Sequence, residues 1–370
     1  MTDTRIVPVL MPKWGLSMKE GKLASWLVED GTTIKPGDAI LEVETDKIAG
    51  SLEATEAGVL RRRVGAADTI YPVKALLGVI ADPSVPDADI EAYVASYVAP
   101  VVDEDEGEQG PKYETADTRS GKLRYAKRGD GGDTVILIHG FGGDLDNWLF
   151  NIDALAETAT VYALDLPGHG QSSKALDKPG LASLTAALAQ VMDKTGIDSA
   201  HLAGHSMGGG IAMQMAINHP EKVKSLTLIA PLGLGAEIGT YVSNFTAAEG
   251  RKDLKPVLET LFADKNLVSR KLVDDVLKYK RLDGVGPLLK DLSNGLFENG
   301  RQRDAPGKQL AGKLPPTLVI WGKEDQVIPA AHSENLPGAS VHVLDNAGHM
   351  VFMEKAGEVN ALIKKHIAGQ

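Results

Sequence analysis

The chain has 370 residues, of which 43% are hydrophobic, and a formal net charge of −11. This length fits two domains, one small and one of about 250 residues. The acidic balance excludes nucleic acid as the main partner, because a phosphate backbone requires clustered Lys and Arg. The absence of cysteine excludes disulfides and thiolate chemistry. With no signal sequence and no long apolar run, we expect a cytoplasmic protein that is not associated with a membrane.

An internal repeat organises residues 1–82. A shift of 36 residues aligns the segment 28–43 with 64–79 at seven identical positions of sixteen. Each copy contains short strand patterns, LASWLV and AILEVE in the first and GVLRRRV and LLGVIA in the second. These patterns predict two similar small sheets that pack face to face as a flattened barrel. Asp46-Lys47-Ile48 lies between the copies, where the flanking strand patterns predict an exposed hairpin tip.

The segment GKLASWLVEDGTTIKPGDAILEVETDKIAGSLEATEAGVL resembles the lipoyl domain of 2-oxo acid dehydrogenase complexes, and the resemblance covers residues 5–82. It implies that Lys47 is the attachment site of covalently bound lipoic acid, on a D-K-[AIV] hairpin. The related biotin carriers place their lysine in an M-K-M turn, so Asp46-Lys47-Ile48 favours lipoate. The alternative interpretation is that Lys47 is an ordinary charged turn residue.

Residues 83–118 differ in character from the repeat. A short helix is predicted within PSVPDADIEAYVASYVAP, with Ile90, Tyr93, Val94 and Tyr97 on one face. The following VVDEDEGEQGP predicts an acidic, flexible linker. There is no room for a full partner-binding module, so the way in which partner enzymes dock stays open.

From residue 119 to 370, strand patterns alternate with helical patterns, which predicts a mostly parallel sheet covered on both faces. The strand patterns are TVILIHG, TVYALDL, AHLAGHS, SLTLIAP, TLVIWG and SVHVL. Gly204-x-Ser206-x-Gly208 follows one strand and precedes a helical run, the pattern of a nucleophile elbow. The motif HGFGGD follows an earlier strand, so the backbone amides of Phe141 and Met207 are the predicted oxyanion hole.

Two further motifs supply an acid and a base. WGKEDQVIP places Asp325 after a late strand, and NAGHMVFMEK places His349 after the last one. The order Ser206, Asp325, His349 is the order of the triad in α/β-hydrolases. Glu324 is the alternative acid.

Other titratable residues fit the site less well. Asp165 and Asp345 lie near strand ends but have weaker local context for the acid role. His139 and His205 lie inside motifs, where we expect local packing or hydrogen bonding. The histidines show no metal-ligand spacing, so no metal site is predicted.

Together with DLPGHGQS, these motifs resemble the α/β-hydrolase superfamily over residues 119–368. The resemblance implies Ser206 as nucleophile, His349 as general base and acid, and Asp325 as the group that orients His349. Residues 232–315 have a helical pattern before the acid strand, which is the usual place for a cap over the pocket. The predicted fold is therefore multidomain, with an all-β lipoyl unit and an α/β-hydrolase that carries a helical cap.

The fusion of these two units resembles the dihydrolipoamide acetyltransferase component of acetoin dehydrogenase complexes. That family implies transfer of an acetyl group from lipoyl-Lys47 to coenzyme A. It also implies a thiamine diphosphate-dependent acetoin-cleaving partner, a flavin-dependent dihydrolipoamide dehydrogenase and a homo-oligomer. The H-x-x-x-D-G motif of ordinary lipoyl acyltransferases is missing. Two alternatives are a lipoyl-tethered esterase or thioesterase and a carrier scaffold with an idle pocket.

Overall fold

The structure, a computed structural model, describes residues 5–12, 14, 18–45, 49–99 and 112–369. Packing divides the chain into two units, Met1–Gly110 and Pro111–Gln370. Lys47 and residues 100–111 of the predicted linker lie outside the described residues. No helix in the described ranges combines the length and the apolar character that a membrane span requires.

Short antiparallel strands build the first unit. Those within the described residues are β1 (Ile6–Leu10), β2 (Glu20–Trp26), β3 (Thr33–Ile34), β4 (Ala39–Glu44), β5 (Ala49–Glu53), β6 (Gly58–Arg63), β7 (Thr69–Pro72) and β8 (Leu76–Ala81). They form two four-stranded sheets, in the orders β1-β8-β6-β3 and β5-β4-β2-β7. Leucines from both sheets, such as Leu23, Leu41, Leu60 and Leu77, are fully buried in one core cluster. The predicted flattened barrel is confirmed.

The two copies of the repeat, which are divided at Lys47 in the sequence, exchange strands: β1 of the first copy pairs with β8 of the second, and β5 of the second copy pairs with β4 of the first. β3 belongs to the first copy but pairs with β6 of the second, whereas β7 belongs to the second copy but pairs with β2 of the first. The sequence does not predict this exchange, because Thr33-Ile34 and Thr69-Ile70 are identical pairs at equivalent positions of the repeat.

Helix α1 (Asp87–Ser96) packs on the barrel of the first unit. Its buried Ile90 belongs to a cluster that includes Val79, and Tyr93 packs against the same cluster. Arg61 fixes the start of the helix, since its guanidinium donates to the carbonyl oxygen of Val85 at 3.0 Å and pairs with Asp87. The predicted helix is therefore present, and its apolar face is used within the first unit.

A large sheet organises the second unit. The strands of this unit are β9 (Lys112–Thr118), β10 (Gly121–Arg128), β11 (Asp133–Ile138), β12 (Ala159–Leu164), β13 (Ala200–His205), β14 (Val223–Ile229), β15 (Phe297–Glu298), β16 (Arg301–Gln302), β17 (Thr317–Gly322) and β18 (Ser340–Leu344). Of these, β15 and β16 form a separate small hairpin, and the other eight form the large sheet. The sheet order is β18-β17-β14-β13-β11-β12-β10-β9. In this sheet order, the five neighbouring pairs from β18 through to β12 are all parallel. The predicted mostly parallel sheet is confirmed. β9 lies within the stretch that the sequence assigns to the linker, and no apolar pattern marks it because Ala116 is its one buried residue.

Helices cover the sheet and form the predicted cap. They are α2 (Ile152–Ala156), α3 (Leu181–Thr195), α4 (Met207–Asn218), α5 (Tyr241–Ala247), α6 (Arg251–Glu259), α7 (Arg270–Lys280), α8 (Val285–Leu296), α9 (Pro306–Leu310), α10 (Val351–Glu354) and α11 (Ala356–Ile367). Helices α5 to α9 fall within residues 232–315. Because β11, β13, β17 and β18 are parallel, their carboxyl ends meet at one edge of the sheet, where ligands bind in open α/β sheets.

Candidate active site

Ser206 lies in a strained turn between β13 and α4. Its φ of 52° and ψ of −115° are unusual for a residue with a side chain, and its exposure is 8%. The turn closes only because the residues two positions before and after Ser206 lack side chains. A Cβ atom on Gly204 would lie 2.3 Å from the carbonyl oxygen of Gly208, and one on Gly208 would lie 2.1 Å from that of Ile138. The sequence G-x-S-x-G therefore has a direct steric cause here.

Asp325 and His349 form a buried pair beyond the ends of β17 and β18. His349 Nδ1 lies 2.8 Å from Asp325 Oδ2, and the two side chains are 3% and 0% exposed. Trp321 Nε1 donates to the same oxygen at 2.9 Å. The amides of Val327 and Ile328 donate to Oδ1 at 2.7 and 3.0 Å. These donors offset the cost of burying the carboxylate of Asp325. They also fix its orientation, so that Oδ2 is the oxygen that contacts His349.

The loop of His349 contacts β13, the strand that ends just before Ser206. His205 Nε2 lies 3.0 Å from the carbonyl oxygen of His349, and the two imidazole rings are 4.6 Å apart. With Nδ1 of His349 engaged by Asp325, Nε2 is the ring nitrogen that stays available to a neighbouring hydroxyl. The structure thus brings the predicted acid to the predicted base. The alternative acid, Glu324, instead accepts the amide of Ala347 at 3.0 Å.

Phe141 and Met207, whose backbone amides are the predicted oxyanion hole, belong to two segments that adjoin Ser206. A Cβ atom on Gly140 would lie 3.1 Å from Ser206 Cβ, so the loop after β11 adjoins the serine. The Gly140 carbonyl is held by the ring of its neighbour His139 at 2.7 Å and by the amide of Gly143 at 3.2 Å. Because the N–H of a peptide points opposite to its C=O, the Phe141 amide faces away from the His139 ring. The Met207 amide lies in the first turn of α4, where amides have no intrahelical partner.

Three buried histidines support these loops in their neutral form. Burial lowers the pKa of His139, with His169 adding to the effect, and it lowers the pKa of His205, with His349 adding. Burial also lowers the pKa of His169 to about 4. His139 Nε2 accepts the amide of Leu166 at 3.0 Å, and His169 Nε2 accepts the amide of Gly142 at 3.2 Å. His139 and His205 thus bond locally, as the sequence predicts.

The other acidic candidates lie elsewhere. Asp165 is fully buried, where its carboxylate accepts the amides of Leu145 and Gln171, both at 2.8 Å. Asp345 is exposed and pairs with Lys323. Neither carboxylate pairs with a histidine within the described residues.

The cap reaches the site through residues that no sequence motif marks. Phe245 of α5 meets Phe141 edge to face, with ring centroids 6.1 Å apart. Tyr279 of α7 donates its hydroxyl to the carbonyl oxygen of Gly168 at 2.9 Å. The helical pattern predicts the cap, but side chains that meet across such long sequence separations give no local signal.

Comparisons with known proteins agree with this description. Residues 133–356 match the alpha/beta hydrolase fold family, and residues 7–69 match the family described as biotin-requiring enzyme. The crystal structure of a serine hydrolase from Cycloclasticus zankles superposes with a TM-score of 0.65 at 24% sequence identity. The superposition covers 70% of this chain and 99% of the hydrolase, and it supports the fold alone.

Two curated relatives share the full two-unit arrangement. The dihydrolipoyllysine-residue acetyltransferase component of the acetoin cleaving system from Cupriavidus necator is 54% identical over 98% of each chain. The chain belongs to this acetyltransferase family. The component of the same name from Pseudomonas putida is 45% identical over 98% of this chain and all of its own. Both units of the present chain are therefore parts of an acetyltransferase component of an acetoin cleaving system.

Proposed function

We propose that the chain transfers an acetyl group from a dihydrolipoyl arm on Lys47 to coenzyme A through an acyl-enzyme on Ser206. The observation that carries the proposal is the buried pair of Asp325 and His349, whose loop contacts His205 next to the strained Ser206. These residues occur in one chain with a barrel of the lipoyl type, so carrier and catalyst have a common acyl chemistry.

The first unit fits a covalently attached lipoyl group. β4 and β5 pair up to Glu44 and Ala49, so residues 45–48, which include Lys47, connect two adjacent strands. The side chain of Glu44, the last residue of β4, is 54% exposed. A group attached to this connection would start from the outer end of a strand pair, as an arm that visits other sites requires. When bound, the lipoyl group would carry the acetyl group as a thioester.

In the first half-reaction, Ser206 Oγ attacks the acyl carbon of the donor thioester. His349 Nε2 accepts the serine proton, and Asp325 stabilises the resulting imidazolium through Nδ1. The amides of Phe141 and Met207 hold the oxyanion. The C–S bond then breaks, the departing sulfur takes the proton from His349, and the acetyl group stays on Ser206.

In the second half-reaction, His349 accepts the thiol proton of coenzyme A while the sulfur of coenzyme A attacks the acetyl carbon. The bond to Ser206 Oγ breaks, and His349 returns the proton to the serine. Water would give acetate at the same step. Burial of Ser206 and His349 under the cap supports transfer over hydrolysis, because it limits access of water to the acyl-enzyme.

The family assignment extends the proposal to partners. A thiamine diphosphate-dependent acetoin-cleaving component would supply the acetyl group, and a flavin-dependent dihydrolipoamide dehydrogenase would reoxidise the arm. A homo-oligomer in the cytoplasm stays a prediction.

The test uses purified full-length protein with acetyl-dihydrolipoamide as a free donor, with and without coenzyme A. We expect acetyl-coenzyme A as the main product, measured by mass spectrometry. Free acetate in the presence of coenzyme A would identify a thioesterase instead. Absence of turnover would support the scaffold alternative.

A further inference from the structure

A surface cleft lies between α6 and α7 of the cap. Its volume is about 780 Å³, and it is lined by the start of α6 and by one face of α7. The charged lining residues are Arg251, Lys252, Asp253, Asp274, Lys278 and Arg281. Four of these six side chains are cationic, so the cleft is suited to an anion.

The charge of this region opposes that of the whole chain. Residues 250–281 contain nine Lys and Arg against five Asp and Glu, whereas the whole chain has a net charge of −11. A cationic patch on an acidic protein concentrates anionic ligands locally, because most other surfaces repel them. Anionic ligands should therefore bind at this patch in preference to the rest of the protein surface.

Two cations in the cleft keep their charge available. Among the described residues, Lys252 and Arg281 make no ion pair, and both are exposed. Arg251 is bound by Asp274 through both carboxylate oxygens, which neutralises that acid. Lys278 pairs with Asp275 at 3.1 Å. Asp253 lies in the first turn of α6, where the helix dipole offsets its charge.

Helix α7, which carries Lys278 and ends just before Arg281, touches the candidate active site. Tyr279 bonds to Gly168 in the loop of His169. Lys280 donates to the carbonyl oxygens of Phe245 and, at 2.5 Å, Ala248 at the end of α5. Its ammonium also lies 4.8 Å from the ring centroid of Phe245, the residue that meets Phe141. α7 thus connects the cationic cleft with the oxyanion side of the site.

We propose that this cleft binds the phosphorylated nucleotide end of coenzyme A, with Lys252 and Arg281 as the main phosphate contacts. Guanidinium and ammonium groups are the side chains that recognise phosphate oxygens. The 3′-phosphate and the diphosphate of coenzyme A supply a dense anionic charge at the end of the molecule remote from the thiol. The inference rests on coenzyme A as the acceptor in the proposed function.

The test compares the double variant Lys252→Glu/Arg281→Glu with Lys290→Glu. Lys290 lies on α8 of the same cap, is exposed and does not line the cleft, so it controls for the change of charge. With acetyl-dihydrolipoamide as donor, we expect the KM for coenzyme A to rise about tenfold in the double variant and to be nearly unchanged in Lys290→Glu. The kcat should be unchanged in both, and so should the KM for pantetheine, which has the thiol but lacks the nucleotide.

A second measurement separates this inference from the proposed function. Adenosine 3′,5′-bisphosphate should bind to the wild-type protein in a titration calorimeter, more weakly at high salt, and about tenfold more weakly to the double variant. Equal KM values for coenzyme A in the two variants, or an equal rise of the KM for pantetheine in the double variant, would overturn the cleft assignment. Continued formation of acetyl-coenzyme A would leave the proposed function intact. If the wild type forms only acetate, the proposed function fails, and binding of the bisphosphate alone decides whether the cleft is a nucleotide site.

Discussion

The two units of the chain place their functional groups in opposite environments. In the first unit, the predicted attachment lysine lies in a connection between strands, and the buried core is purely structural. In the second unit, Ser206, Asp325 and His349 are themselves part of the buried interior. A carrier must expose its reactive group to several partners, whereas an acyl-transfer site must limit water. The comparison predicts that carrier function and catalysis can be removed separately, and that the buried histidines around the site make the stability of the second unit depend on pH.

The largest effect should come from Lys47→Arg, which disables only the carrier. Arginine keeps the charge but cannot form the lipoyl amide, so we expect no lipoyl mass increment after expression with lipoate. Formation of acetyl-coenzyme A from acetoin by the assembled complex should be lost completely. Transfer from free acetyl-dihydrolipoamide should be retained. A lipoyl increment in this variant would place the attachment elsewhere and end the assignment of Lys47.

Ser206→Ala should disable only the catalyst. Removal of the nucleophile in acyl-transfer enzymes costs several orders of magnitude, so we expect transfer from the free donor to fall by at least about 1000-fold. The lipoyl mass increment should equal that of the wild type, and the thermal transition should not be lower, since the strained φ of this position does not depend on the hydroxyl. Transfer at a rate near the wild type would mean that acetyl exchange occurs without this serine.

A smaller effect should appear in the pH dependence of stability, and its histidine contribution should come from the second unit, where all nine histidines lie. Burial lowers the pKa of His169 to about 4, below its value in the unfolded chain. Protonation therefore favours the unfolded state, and the stabilisation is lost as the pH falls from about 6.5 toward 4. Each such histidine adds a slope of up to about 1.4 kcal/mol per pH unit to the free energy of unfolding.

His169→Gln should reduce that slope by the contribution of one histidine, as measured by denaturant unfolding between pH 7 and 4.5. His219→Gln is the matched control, because the side chain of His219 is 38% exposed. His139 and His205 stay in place in both variants and keep part of the slope. Equal slopes in His169→Gln and the control would show that the buried histidine is not the group that titrates.

The sequence predicts those features that have a local cause. Ser206 is recognisable because its strained turn excludes side chains at Gly204 and Gly208. Buried parallel strands such as β11 and β17 are recognisable because they are mostly apolar runs. Contacts between distant segments carry no such mark. The bond from Trp321 to Asp325 and the contact of Phe245 with Phe141 depend on the complete fold. Whether α1 belongs to a linker or to a barrel likewise depends on the packing of its apolar face.

The exchange of β3 and β7 makes each half of the barrel incomplete without the other. Because β6 finds one neighbour in the first copy and β2 finds one in the second, neither copy alone can satisfy the backbone hydrogen bonds of its sheet. Folding of this unit should then be a single cooperative event. A protease cut between residues 45 and 56 would release two fragments with open strand edges rather than two small domains. A duplicated sequence has in this way become an indivisible folding unit, and the predicted attachment residue Lys47 lies in sequence between halves that cannot persist separately.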